Sequence, residues 1–394
     1  MKALHFGRFH NDNFGGLERH VALLLRGLSC EMHVDNLVAN EEFTAQKLEV
    51  AGYRVYKAPT LGMVSGVALC PTMPFWARRL HRENGYDIAH LHFPDPMSHL
   101  AVLALPRDVK LVISWHSDII RQQNSFRLYK PFLDRIVARA DAIIAATPAH
   151  FSSSTQLGAC DFTKRHFVPY GVDFAPFDDP AAIAAGAALR ARYAGRRIIF
   201  AVGRHVYYKG FEYLIRAMKA VGEDALLMLG GTGPLSAPLR KLAAMEGLEN
   251  RVMFVGRIPD GDLPAYYHAA DVFCMPSVEP SEAFGLVQVE AMICRKPVIC
   301  CELNNGVSYV NRHGETGLVV PPRDPAALAG AINHLLRNDA LLTNMGIAGR
   351  TRARDEFTLE RMWRDTLAIY REVTGNRATS NGDGSRVTGS AVEC

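Results

Sequence analysis

The sequence predicts an α/β protein built from two doubly wound parallel sheets in separate domains. Short apolar runs alternate with stretches of helical spacing twice over, and a segment at 170–179 carrying Gly171, Pro176 and several acids parts the two alternations. Size agrees, since 394 residues of which 48% are hydrophobic can bury two cores. In the first alternation strands are expected over 3–6, 34–38, 88–92, 111–115 and 142–146, with helix-like stretches such as 19–28 between them. The second has expected strands over 198–202, 225–229, 252–255, 272–275 and 298–301. The hinge places one domain at 1–172 and another at 173–357, with the active site expected in the cleft between them. Beyond Asp324, Leu328, Ile332 and Leu335 recur at helical spacing, as do Met362, Trp363, Leu367 and Tyr370. The tail at 376–394 is rich in Gly, Ser, Thr and Asn without apolar periodicity, which predicts disorder.

Composition narrows the function. A net charge of +4 is too small to argue for nucleic acid. The 8 cysteines form no C-x-x-C pair, so neither a zinc knuckle nor a disulfide framework is indicated, and reduced thiols in a cytoplasm are expected. The apolar start at 1–6 is too short for a signal peptide, and no run approaches the roughly 20 residues of a spanning helix. Any membrane contact is then peripheral. Gly230, Gly231, Thr232 and Gly233 follow a strand but lack the third glycine of G-x-G-x-x-G, and no G-x-x-x-x-G-K-[ST] occurs. Nicotinamide binding and a P-loop are thereby disfavoured.

The run at 282–293 carries the most chemistry. Drawn as a helix from Leu286, it sets Leu286, Val289 and Ile293 on one face, while Val287, Ala291, Met292 and Cys294 cover most of the rest. Such a helix is buried nearly all round. Glu290 lies within about 60° of its apolar stripe, and a buried carboxylate is costly unless something hydrogen-bonds it. A ligand carrying hydroxyls would do so. Glu282 falls just before the helix, where the backbone N–H groups of Phe284, Gly285 and Leu286 would form an anion site.

A second cluster follows the expected strand at 198–202. Arg204 and Lys209 sit in a strand-to-helix loop, at the carboxyl edge where open parallel sheets bind ligands. Lys209 stands near the start of a helical pattern with Phe211, Leu214, Ile215 and Met218, where a cation opposes the helix dipole unless an anion intervenes. A diphosphate would supply that anion; solvated surface cations are the plain alternative.

Together these motifs resemble the retaining glycosyltransferases of the GT-B fold, specifically family 4, whose two domains are Rossmann-like. The resemblance covers most of the chain: Gly15-Gly16-Leu17-Glu18, His116 after a strand, Pro169-Tyr170-Gly171-Val172-Asp173, Gly203-Arg204 with Lys209-Gly210, and the acids Glu282 and Glu290. It implies that Arg204 and Lys209 hold the donor diphosphate, that Glu282 contacts the transferred sugar and that Glu290 binds the ribose. It implies too that the backbone near Arg257 and Ile258 borders the base, and that a last helix at 358–375 crosses back onto the first domain.

In the first domain, Gly15 and Gly16 either let a backbone approach the diphosphate or acceptor, as the resemblance implies, or form a plain turn. His116 is expected to offer its imidazole or its backbone carbonyl to the donor sugar's hydroxyls, against the bland reading of a packed strand-end histidine. His90 and His92 share a strand face near Asp95, but no further ligands accompany them and no metal is expected. Asp260 and Asp262 beside Pro259 and Gly261 look like turn and capping residues.

The mechanism implied is metal-independent. Arg204, Lys209 and the amides before Leu286 stabilise charge on the leaving phosphates, the acceptor proton passes to a phosphate oxygen, and Glu282 orients the sugar. No separate cofactor is expected beyond the nucleoside-diphosphate sugar, GDP-linked and mannose-type by likeness to bacterial mannosyl- and rhamnosyltransferases. The acceptor is expected to be a glycan or lipid-linked saccharide of surface polysaccharide. Basic amphipathic stretches at 126–139 and 75–82 would suit the anionic inner face of the cytoplasmic membrane, or are ordinary solvated helix faces. A sugar-nucleotide 2-epimerase and a non-catalytic nucleotide-sugar binding protein are the alternatives; the second is disfavoured because Arg204, Lys209, Glu282 and Glu290 are all present.

Overall fold

The computed structural model describes residues 1–10, 16–50, 52–64, 67–119, 123–158 and 160–375. Gly15 and the tail at 376–394 lie outside the described residues. The chain divides into two compact units. Met1–Ala146, Ser154–Gly171 and the chain from Leu359 onward form the first; Thr147–Ser153 and Val172–Thr358 form the second.

The first unit contains β1 (Lys2–Gly7), β2 (His33–Ala39), β3 (Gln46–Val50), β4 (Tyr53–Ala58), a small β5–β6 pair (Met63–Val64 and Val67–Ala68), β7 (Ile88–Phe93), β8 (Lys110–Trp115), β9 (Ala142–Ala145) and β10 (Arg165–Phe167). Its main sheet runs β10-β9-β8-β7-β1-β2-β4-β3. All neighbours are parallel except β3 and β4. The central strands read as near-continuous apolar runs because both faces are covered. β3, β4, the β5–β6 pair and β10 were not expected: β3, with Gln46, Lys47 and Glu49 exposed, is a polar edge strand of the kind that discourages further pairing.

The last helix, Leu359–Val373, belongs to this unit. Met362, Leu367, Ile369 and Tyr370 enter the core beside Leu24, Leu25 and Leu28 of the Gly16–Ser29 helix. Trp363 Nε1 donates to the Leu23 carbonyl at 2.8 Å.

The second unit contains β11 (Arg197–Val202), β12 (Ala225–Gly230), β13 (Val252–Gly256), β14 (Val272–Met275), β15 (Val298–Cys301) and β16 (Gly317–Val320). These form an all-parallel sheet in the order β13-β12-β11-β14-β15-β16. The order reverses between β11 and β14. Chains leaving these adjacent strands diverge, which opens a crevice at their carboxyl ends.

Candidate functional site

Both catalytic-looking loops of the second unit leave from that reversal. From β11 the chain passes Gly203 and Arg204, makes a single 3-10 turn at Tyr207–Lys209, and enters the helix Phe211–Ala217. Gly210 joins turn to helix at φ 64°, and a Cβ there would stand 2.1 Å from the Pro276 carbonyl oxygen. Only glycine meets both conditions. From β14 the chain runs through Ser277 and Glu282 to Gly285, which caps the helix Leu286–Ile293 at φ 75°. The Val278 N–H donates to the Tyr208 carbonyl at 2.8 Å, tying the two loops together.

Lys209 Nζ and Glu282 Oε2 form an ion pair across these loops, with side chains only 13% and 12% exposed. The Ser277 hydroxyl donates to the same oxygen at 3.0 Å. Burial pulls the Lys209 ammonium toward neutrality, but the facing Glu282 carboxylate and Tyr208 outweigh it and hold its pKa above the ordinary value. Glu282 is thus the protein anion that faces Lys209 beside the helix start. Asn305 Nδ2 donates to the Glu282 carbonyl at 2.6 Å while its Oδ1 accepts from the Val307 N–H at 3.0 Å. One side chain caps the helix Gly306–Val310 and pins the backbone of Glu282.

The helix Leu286–Ile293 is buried from Gln288 onward, as its apolar faces require. Glu290 is 6% exposed, and the Tyr267 hydroxyl donates to its Oε2 at 2.8 Å. A protein hydroxyl from the helix Leu263–Ala269 therefore supplies one hydrogen bond to the buried carboxylate. Phe284 packs inward on Phe357, with ring centroids 5.7 Å apart, and its carbonyl accepts from Gln288 Nε2 at 3.1 Å. Leu286 is half-buried, while Arg204 and Arg257 are exposed. Ile258 follows β13 and packs over Gly230. The glycines at 230–233 serve this packing: His205 N–H donates to the Thr232 carbonyl at 3.0 Å, and Gly203 N–H to Gly230 at 3.2 Å. Asp262 stands at the N-cap position of Leu263–Ala269 without a side-chain capping bond.

In the first unit Gly16 opens the helix after β1, and His116 follows β8. The imidazole of His116 is not directed as expected. Its Nε2 lies 3.1 Å from His92 Nδ1 and its Nδ1 lies 2.5 Å from the Tyr170 hydroxyl, so both ring nitrogens are engaged with the protein. His90 and His92 do meet a third histidine, His5, and ligand atoms of the three lie within 4.8 Å of one another. Asp95 takes no part: it caps the helix Pro96–Leu103 by accepting from the Met97 N–H at 3.3 Å.

Sequence reasoning missed Ser277, Tyr267, Gln288 and His5. The last had a readable signal, since β1 and β7 pair with His5 opposite His90 and side chains two apart share a face.

Two family profiles match: "Glycosyltransferase Family 4" over residues 14–175 and "Glycosyl transferases group 1" over residues 190–352. The chain is similar to the D-rhamnosyltransferase WbpZ of Pseudomonas aeruginosa, with 33% identity over 91% of this chain and 92% of that protein. It is also similar to the O-antigen chain mannosyltransferase C of Escherichia coli, with 29% identity over 94% of this chain and 98% of the other. Among solved structures, sucrose-phosphate synthase from Thermosynechococcus elongatus superposes with a TM-score of 0.80 at 25% identity, over 95% of this chain and 99% of that one. A sheet reversal lined by an acid, a lysine and an arginine, in a chain matched along nearly its whole length, has one reading: this protein belongs to the group 1, family 4 glycosyltransferases of GT-B fold.

Proposed function

We propose that the protein transfers a mannose-type hexose, with retention and without a metal, from a GDP-linked donor to a glycan or lipid-linked acceptor of surface polysaccharide. The ion pair of Lys209 with Glu282 at the reversal of the second sheet carries this reading. An incoming diphosphate competes with Glu282 for Lys209, and exposed Arg204 lies on the same loop to share the charge. As the bond to the sugar breaks, negative charge grows on the phosphates and these cations, with the backbone N–H groups from Phe284 to Leu286, stabilise it. Glu282, released from Lys209, orients the sugar and faces its developing positive charge. Glu290 takes the ribose and the backbone at Arg257 and Ile258 borders the base. In the first unit we assign the backbone carbonyl of His116 to sugar hydroxyls and the backbone at Gly16 to phosphate or acceptor. The rhamnosyl- and mannosyltransferase names of the relatives, one of them a GDP-mannose-dependent mannosyltransferase of Mycolicibacterium smegmatis, favour the GDP-linked donor.

The test is nucleoside-diphosphate release from a panel of GDP- and UDP-sugars, with and without bacterial lipid extract, for wild type and Lys209→Ala. We expect lipid-dependent release from a GDP-sugar, lowered about a hundredfold or more by the substitution. Release from UDP-sugars alone sinks the donor assignment, and conversion of donor without acceptor favours an epimerase.

A peripheral membrane site belongs to the same proposal. Among the described residues no helix is long and apolar enough to cross a membrane. On the first unit Phe75, Leu128 and Phe132 are exposed, as are Arg82 and Arg127. The basic stretches are weaker than their sequence implied: Lys130 pairs with Asp134, Arg79 with Glu83, and Arg139 donates to the carbonyls of Val102 and Pro106. We expect flotation with phosphatidylglycerol vesicles, reduced roughly tenfold by Leu128→Glu with Phe132→Glu. Absence of wild-type binding to these vesicles removes the membrane site.

A further inference from the structure

The loop that carries Glu282 is held from behind by a second loop of the same unit. The successive carbonyls of Glu282, Ala283 and Phe284 are each held by the segment at 305–307, directly or through Gln288. Glu282 accepts from Asn305 Nδ2 at 2.6 Å. Ala283 lies so close to Gly306 that a Cβ there would stand 2.4 Å from its carbonyl oxygen, so no larger residue fits without a shift. Phe284 accepts from Gln288 Nε2 at 3.1 Å, and the same amide reaches the Val307 carbonyl at 3.3 Å.

Two buried side-chain amides thus span these loops, and packing does not explain either. Gln288 is 0% exposed on a helix that is otherwise apolar apart from Glu290. Its N–H groups face two carbonyls, which fixes the orientation of the amide, and its Oε1 has no partner among the described residues. Burying an unpaired acceptor is costly, so packing alone would favour leucine or methionine there. Asn305 is 6% exposed, and its Oδ1 caps the helix Gly306–Val310. Serine caps a helix about as well; the amide nitrogen is what the Glu282 carbonyl requires.

Peptide geometry carries the effect through the loop. In a trans peptide the carbonyl of one residue and the N–H of the next point in opposite directions, and no cis bond is found here. The carbonyls of Ala283 and Phe284 turn toward 305–307, so the N–H groups of Phe284 and Gly285 are directed to the opposite side of the loop. These two belong to the amides assigned above to the donor phosphates.

We propose that Asn305 and Gln288 are positioning residues for the transfer, fixing the backbone from Glu282 to Gly285 so that the acid and the amides are set before the donor diphosphate binds. This rests on the roles given above to Glu282 and to the amides from Phe284 to Leu286. Both residues act through that backbone.

The test uses the full chain and measures nucleoside-diphosphate release from the GDP- and UDP-sugar panel with bacterial lipid extract, well below every melting transition. Asn305→Ser keeps the helix cap and loses the amide, while Gln288→Met keeps size and apolar packing and loses the bridge. Asn333→Ala is the control: Asn333 also spans two backbone groups of the second unit, accepting from the Gly222 N–H at 3.1 Å and donating to the Ala220 carbonyl at 2.8 Å, but from another helix. We expect kcat to fall about tenfold in Asn305→Ser and in Gln288→Met and to hold in Asn333→Ala. Wild-type kcat in Asn305→Ser would leave Asn305 as a helix cap, and wild-type kcat in Gln288→Met would leave Gln288 as packing; either overturns the proposal, as does a fall in all three that follows melting temperature. Calorimetric titration with GDP and UDP separates this from the transfer reading. If wild type turns over no donor yet binds either nucleotide, transfer fails and positioning is read from that affinity, expected to drop about tenfold in the same two variants alone. Equal affinity in all variants overturns positioning, and wild type binding neither nucleotide overturns both.

Discussion

Glu282→Gln is expected to abolish most transfer and to loosen the second unit at once. The substitution keeps size and hydrogen-bonding reach but leaves the Lys209 ammonium, 13% exposed, facing a neutral amide. Breaking a buried ion pair by neutralising one partner typically costs about 3–5 kcal/mol, because the remaining charge is uncompensated. Turnover suffers separately. If Glu282 faces positive charge that develops on the sugar, its loss removes an interaction present mainly in the transition state, worth about a hundred- to thousandfold in kcat. The two effects can be separated with Glu282→Gln/Lys209→Met, which removes both charges and recovers much of the melting temperature without recovering turnover. Full turnover in Glu282→Gln, measured well below its melting temperature, would exclude Glu282 from the reaction and leave it as the structural partner of Lys209.

How far the site was legible follows from what its parts depend on. Lys209 and Glu282 were each readable, because a cation before a helical pattern and an acid before an apolar helix are local signals. Their pairing was not: they are 73 residues apart, and they meet because β11 and β14 are neighbours, a fact of strand order that no local pattern encodes. Glu290 shows the same limit. Its burial followed from helical spacing, but the hydroxyl that satisfies it comes from Tyr267, which in sequence is one more aromatic residue of another helix. His116 was correctly set at a strand end, yet the direction of its ring depends on His92 and Tyr170. Most central strands were legible since both faces are covered, whereas β3, β4 and β10 at or next to the edges of the first sheet, and β16 at the edge of the second, lack a long apolar run and were missed.

The first unit should unfold in mild acid, and the buried histidines set the pH. Burial lowers the pKa of His5, His20 and His99 to about 3, and burial with neighbouring histidines pushes His90 and His92 well below 6.5. Each is neutral when folded and titrates near 6.5 when unfolded, so below 6.5 the unfolded chain binds more protons. The stability from keeping these rings neutral is therefore complete above pH 6.5 and is lost progressively as pH falls toward their folded values. Each ring contributes a slope approaching about 1.4 kcal/mol per pH unit, so five together approach roughly 7 kcal/mol per unit. Against a typical stability of about 5–15 kcal/mol, that slope exhausts the fold within about one to two units, near pH 5. In the second unit burial also lowers His205 and His268, but these are two against five. Tryptophan emission isolates the effect, because Trp76, Trp115 and Trp363 all lie in the first unit. A cooperative red shift near pH 5, preceding loss of the remaining helical circular dichroism, is the expected result. Native emission persisting to pH 4 would mean that water reaches these rings.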